Sequence, residues 1–168
     1  MNDDQNPVVR VAGETDVEVA AALFRGYLDF YEVKVEDPDA PRAFLAERIR
    51  ADESLVLLAD VPGAGPGAGP GAEPGASAVG FAQVYRTFSS LALRPMWILS
   101  DLYVAPSGRR TGAGRALLRE VLRRAGEAGV AGVQLETAYD NHVAQALYEA
   151  EGFERDAFHI YFHGLGQG

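Results

Sequence analysis

A mixed α/β fold is what the order of this chain predicts, and three observations carry the prediction. Apolar runs in the first two thirds, at residues 8–12, 54–60, 78–87 and 96–104, have the length and composition of strands. Two stretches with helical spacing, near 113–125 and 141–151, then alternate with apolar runs at 130–137 and 153–162. Glycine and proline punctuate the joins. Strands first, then strand–helix–strand–helix–strand, build a sheet with helices packed on it. With 168 residues, 48% hydrophobic and 23% charged, one domain can bury a core of its own.

Residues 1–7 are expected to form a flexible N-terminus and residues 8–168 a single domain. Val8–Ala12 reads as the first strand. Thr15 or Asp16 caps a helix running to about Tyr31, with Val19, Leu23, Tyr27 and Phe30 (or Tyr31) on one face. Pro38 and Pro41 break the chain before a short helix over 42–50. Ser54–Asp60 is too short and continuous for a surface helix and reads as a buried strand. Residues 62–77 repeat Pro, Gly and Ala with no hydrophobic anchor, so nothing offsets their ordering entropy. They are expected to be a disordered loop inside a hairpin, without a catalytic role. Such a loop is cheap to lengthen, at ~0.6 kcal/mol per doubling. Its partner strands follow at 78–87 and 96–104. Leu117, Leu118, Val121, Leu122 and Ala125 form the buried stripe of the next helix, and Gly126 and Gly129 offer its stop. A strand at 130–137, a helix at 141–151 closed by Gly152, and a last strand at 153–162 complete the chain.

Composition removes several functions. The absence of cysteine excludes disulfides, thiolate metal sites and a cysteine nucleophile, and agrees with a cytoplasmic location. The polar start is no signal peptide, and no apolar run approaches the ~20 residues needed to span a membrane. His142, His159 and His163 have no acidic or cysteine pattern around them that would complete a metal site, so no metal is expected. Outside residues 109–124, 23 acids face nine bases, a balance of −14. A body so acidic repels nucleic acid, and its acidity either draws cationic amines or merely serves solubility.

Within 109–124 the balance reverses, with six of the fifteen basic residues of the chain: Arg109, Arg110, Arg115, Arg119, Arg123 and Arg124. Arg109, Arg110 and Arg115 flank Gly112-Ala113-Gly114 at the start of a helix, while Arg119, Arg123 and Arg124 read as its solvated face. Glycines there let a ligand approach the backbone, and unpaired first-turn amides with the positive helix end seat a phosphate or pyrophosphate. A Walker-type loop is excluded, because no lysine or hydroxyl follows Gly114. A dinucleotide fingerprint fits poorly: Leu117 fills its third small position, seven residues separate Val104 from Gly112, and only Glu136 could mimic the ribose-binding acid. The pattern that fits is [QR]-x-x-G-x-[GA], met by Arg109-Arg110-Thr111-Gly112-Ala113-Gly114.

A second block stands downstream: Leu135-Glu136-Thr137-Ala138-Tyr139-Asp140-Asn141, then Ala144, Leu147, Tyr148 and Gly152-Phe153. In order, spacing and residue type the two blocks resemble the GNAT superfamily of acetyl-CoA-dependent N-acetyltransferases. That resemblance implies a mixed, mostly antiparallel central sheet of 6–7 strands flanked by about four helices. It also implies acetyl-CoA as cofactor, held by main-chain contacts from Leu102, Tyr103 and Val104 and by the loop Arg109, Arg110, Thr111, Gly112, Ala113, Gly114 and Arg115. Asn141, Ala144 and Tyr148 are the matching contacts in the second block, and homodimers are frequent among such relatives. The cofactor would lie in a notch between strands at roughly 98–104 and 133–137.

Acetylating an amine requires a neutral amine, a polarised carbonyl and a protonated leaving thiolate. Tyr148 falls on the family's tyrosine and is the expected general acid, since a phenol with a pKa near 10 is protonated at neutral pH. Some relatives carry a glutamate six residues before the position of Val104; here that residue is Ile98. Asp101 is the candidate base or amine anchor, its side chain pointing with Tyr103 and opposite to Leu102. Tyr27, Tyr31, Glu32 and Tyr139 are candidates for the substrate side. The expected acceptor is a small cationic amine (polyamine, diamine, amino acid or aminoglycoside-like), or else a protein amine. The competing expectation is a non-catalytic acyl-CoA-binding regulatory module.

Overall fold

The computed structural model describes residues 6–62 and 78–166. The flexible N-terminus expected at 1–7 lies, up to residue 5, outside the described residues, and so does the 62–77 loop from residue 63. The chain divides into two compact units, Met1–Glu136 and Thr137–Gly168.

The first unit is a five-stranded sheet in the order β1-β2-β3-β4-β5, formed by Val8–Val11, Ser54–Asp60, Ala78–Ser89, Arg94–Val104 and Val133–Leu135. β1 to β4 are antiparallel, and only the β4–β5 pair is parallel. The mixed, mostly antiparallel character is as expected, but the sheet has five strands and not 6–7. The missing strand is the one expected at 153–162, which carries no regular structure. Its alternation of apolar residues is only half of what a strand requires. A ladder partner must supply the other half, and among the described residues none pairs with it. Phe158, Ile160, Tyr161 and Phe162 are accordingly exposed.

Among the described residues, three α-helices belong to this unit: α1 (Val17–Phe30), α2 (Ala40–Arg50) and α3 (Ala113–Glu127). On one face of the sheet, Ala20, Ala21, Leu23 and Phe24 of α1 and Leu45 of α2 pack with Val56, Leu58 and Phe81. The rings of Phe24 and Phe81 stand 5.7 Å apart. α3 covers the opposite face through Leu117, Leu118 and Val121, all fully buried. Each such side chain contributes roughly 1.5–3 kcal/mol of apolar burial. On the outer side of α3, Arg123 and Arg124 pair with Glu120, and Arg123 also with Glu127. Arg123 first, then Arg124, hold the Glu120 carboxyl down to about 2.

The second unit contains α4 (His142–Ala150). Asn141 caps it, its side-chain oxygen accepting from the Ala144 amide at 3.2 Å. Gly152 ends it in the left-handed region, with the Phe153 amide donating to the Tyr148 carbonyl at 3.0 Å.

The turn out of β4 depends on a buried glycine. A Cβ at Gly108 would stand 2.4 Å from Val79 Cγ2 and 2.5 Å from Val79 Cβ. Gly108→Ala is therefore expected to destabilise the fold by about 1–3 kcal/mol. Chemical denaturation checks this; an unchanged midpoint would contradict it.

Candidate active site

β4 and β5 keep company only briefly. Their ladder joins Trp97, Ile98 and Leu99 to Val133, Gln134 and Leu135, and it stops there. From Asp101 to Val104, β4 pairs with β3 on one side, while its other edge has no strand among the described residues. Main-chain donors and acceptors along such an edge are available to a ligand that pairs like a strand.

Beyond Val104 the chain turns through Pro106–Gly108 and enters α3 at Ala113. The Thr111 hydroxyl donates to the Gly108 carbonyl at 2.6 Å and accepts from the Ala113 amide at 3.4 Å, tying the loop to the helix start. Arg110 (φ 66°) and Gly112 (φ 88°) are both left-handed, and Gly112 is the N-cap residue. The first intrahelical bond there runs from the Ala116 amide to the Gly112 carbonyl at 2.9 Å. The amides before it have no acceptor within the helix. Arg109, Arg110 and Arg115 are exposed around this end, Ala113 is buried, and Gly114 is half-buried. Backbone amides, a positive helix end and exposed guanidinium groups suit a pyrophosphate, so this loop fits the diphosphate of a coenzyme.

A second set of groups meets where the β4–β5 ladder ends. Gln83 pairs with Asp101 and Val84 with Leu99, so Ser100 is an extra residue and β4 carries a bulge. Asp101 shares a face with Tyr103, as expected, and the bulge brings it to the face of Ile98 as well, since Ile98 pairs with Tyr85. Asp101 is only 8% exposed. Its Oδ2 accepts from Gln83 Nε2 at 2.8 Å, and Gln83 Oε1 accepts from the Ser54 hydroxyl at 2.9 Å. Burial pushes the Asp101 carboxyl above the usual carboxylate range, against hydrogen bonds from Gln83, Tyr27 and Ser100 that draw it back.

α1 closes this place from the other side. The Tyr27 hydroxyl donates to the Ser100 carbonyl at 3.4 Å, and the Tyr103 phenol lies over Gly26. The rings of Tyr27 and Tyr31 meet edge to face at 5.0 Å. Glu32 follows in the left-handed region (φ 55°) and is exposed. The structure thus brings Asp101, Tyr103, Tyr27 and Tyr31 together, with Leu102 and Val104 on the opposite face of β4.

Tyr139, Asn141, Ala144 and Tyr148 lie in the second unit. Tyr139 is exposed, with its carbonyl accepting from Gln145 Nε2 at 3.0 Å. Tyr148 is half-buried on α4, its ring 6.0 Å from that of Phe153. Sequence reasoning missed Gln83 and Ser54. The available signal was a single amide in the otherwise apolar run Ala78–Val84.

A mixed sheet whose one parallel pair parts beside a glycine-initiated helix is the fold of an acetyltransferase. The chain matches the family described as Acetyltransferase (GNAT) family over residues 21–153, and it belongs to that family. It is an acyltransferase that uses acetyl-CoA. It is 34% identical over 154 residues to YhfO of Bacillus subtilis, an uncharacterized N-acetyltransferase, covering 92% of this chain and 94% of the relative. The crystal structure of a probable acetyltransferase superposes with a TM-score of 0.81 at 33% identity, over 96% of this chain and 99% of the other. An aminoglycoside N-acetyltransferase, AAC(6')-Iy, in complex with CoA shares the fold with a TM-score of 0.73 at 21% identity, over 98% of both chains. No helix among the described residues is long and apolar enough to cross a membrane.

Proposed function

We propose that this acetyltransferase passes the acetyl group of acetyl-CoA directly to the primary amine of a small cationic acceptor, with Asp101 as base and Tyr148 as acid. The observation that carries the reading is the buried Asp101. It is a carboxylate raised by its surroundings toward the range where a base works, at the point where the sheet opens.

Acetyl-CoA supplies, when bound, an acetyl group activated as a thioester. Gly112, Ala113 and Gly114 would hold its diphosphate through their amides, assisted by Arg109, Arg110, Thr111 and Arg115. Leu102, Tyr103 and Val104 would hold its pantetheine arm with the exposed edge of β4, and a main-chain amide near Val104 would draw charge from the carbonyl. Tyr27, Tyr31 and Glu32 of the first unit would form the acceptor's surroundings, where aromatic faces and acids favour a cation. Asp101 takes one proton from the acceptor's ammonium, leaving a lone pair to form the new C–N bond. As the C–S bond breaks, Tyr148 would give its proton to the departing sulfur and be restored by the second proton, which the acylated nitrogen sheds as it becomes the amide. No cysteine exists to carry the acetyl group in between.

Thiol release from acetyl-CoA in the presence of a panel of diamines, polyamines, amino acids and aminoglycosides tests this. Tyr148→Phe is expected to lower kcat by about 10²-fold with little change in KM for acetyl-CoA. A variant as active as the parent would remove Tyr148 from the mechanism. Release with none of the panel would overturn the choice of acceptor.

A further inference from the structure

We propose that Gln83, set by Ser54, is a positioning residue that keeps the Asp101 carboxylate charged and aligned for proton transfer. This rests on the reading of Asp101 as the base. Gln83 is fully buried, and Ser54 nearly so. A buried primary amide is costly unless both its ends are satisfied. Here they are satisfied in one direction only: Ser54 donates to the amide oxygen, and the amide nitrogen donates to Asp101. An ionised carboxylate accepts and never donates, so it demands this orientation of the amide. Turned over, Gln83 would set its oxygen against Asp101 Oδ2.

The three residues come from β2, β3 and β4, and the bulge at Ser100 is what puts Asp101 opposite Gln83. Tyr27 faces Asp101 from α1, Tyr85 from β3, and Ser100 and Tyr103 from β4 itself. Arg48 of α2 and Glu53 bear on Tyr85. No cationic side chain among the described residues pairs with Asp101. What opposes its burial is a set of neutral hydrogen-bond donors, with Gln83 the largest contributor. Such donors hold a buried carboxylate ionised only while they remain aimed at it.

Carboxyl carbon NMR of the whole protein reads the effect without any acceptor, the Asp101 signal being the one lost in Asp101→Asn. In Gln83→Met the Asp101 midpoint is expected to rise by about one pH unit, and in Ser54→Ala by a smaller amount in the same direction. Ser54→Ala removes one hydroxyl and carries the test should Gln83→Met fold poorly. The acidic limb of kcat/KM is expected to move up by the same amount, with KM for acetyl-CoA unchanged. An Asp101 midpoint that stays in place in the folded variants overturns the role of Gln83 while leaving the base intact. An Asp101→Asn protein that keeps the parent's acidic limb overturns the base reading instead.

Discussion

Asp101→Asn is expected to lower kcat by about 10²–10³-fold at neutral pH, while the protein melts at the same temperature or higher. The two effects have one cause. Burial raises the Asp101 carboxyl, so between its ordinary value and the raised one the folded chain holds a proton that the unfolded chain has released. Stability contributed by this group is therefore present at low pH and falls as pH rises through that window. At neutral pH the folded protein carries a charge that its surroundings disfavour. Asparagine has the same shape, keeps an oxygen for Gln83 Nε2 and has no charge to bury. The variant should thus lose the base and gain, or at least keep, stability, with the gain shrinking as pH is lowered. Acetyl transfer rates and thermal melts at several pH values check both halves. Full turnover, or a clear drop in melting temperature at neutral pH, would contradict this account.

Gly112→Ala should weaken coenzyme A binding by about tenfold, a loss of ~1.4 kcal/mol, and lower the melting temperature by several degrees. Space is not the obstacle, since an added Cβ would meet nothing nearer than Pro7 Cγ at 3.9 Å. The obstacle is the torsion. At φ 88° a Cβ crowds the following carbonyl, at a cost of roughly 1–2 kcal/mol. A chain that relaxes this strain swings the first-turn amides of α3 away from the loop, and those amides are the proposed seat of the diphosphate. Calorimetric titration with coenzyme A separates the two contributions, because a purely structural loss would shift the melt and leave the dissociation constant alone.

The glycine-initiated start of α3, the proposed seat of the diphosphate, was legible in the sequence because its geometry resides in the backbone. Glycines, a helix start and an arginine cluster can be seen as letters. β2 is found at the predicted limits, 54–60, because a continuous apolar run of that length has few alternatives. Asp101 was visible as an acid pointing with Tyr103, yet its bulge was not. A strand with one inserted residue has the same composition as one without, and only the register against β3 reveals that Ile98 and Asp101 share a face. Gln83 was a lone amide among apolar neighbours, and its partners lie 29 and 18 residues away along the chain. Spacing cannot anticipate such pairs. The tail at 153–162 misled in the opposite sense, since period-two alternation describes a strand's faces and says nothing about its edges.

The main chain at the start of α3 and along the exposed edge of β4 is the proposed seat of the acetyl carrier. Amide NMR spectra recorded as coenzyme A is added test it most directly. The account predicts the largest shifts at Gly112, Ala113 and Gly114, followed by Leu102, Tyr103 and Val104. Shifts concentrated elsewhere, with these amides unmoved at saturation, would contradict it.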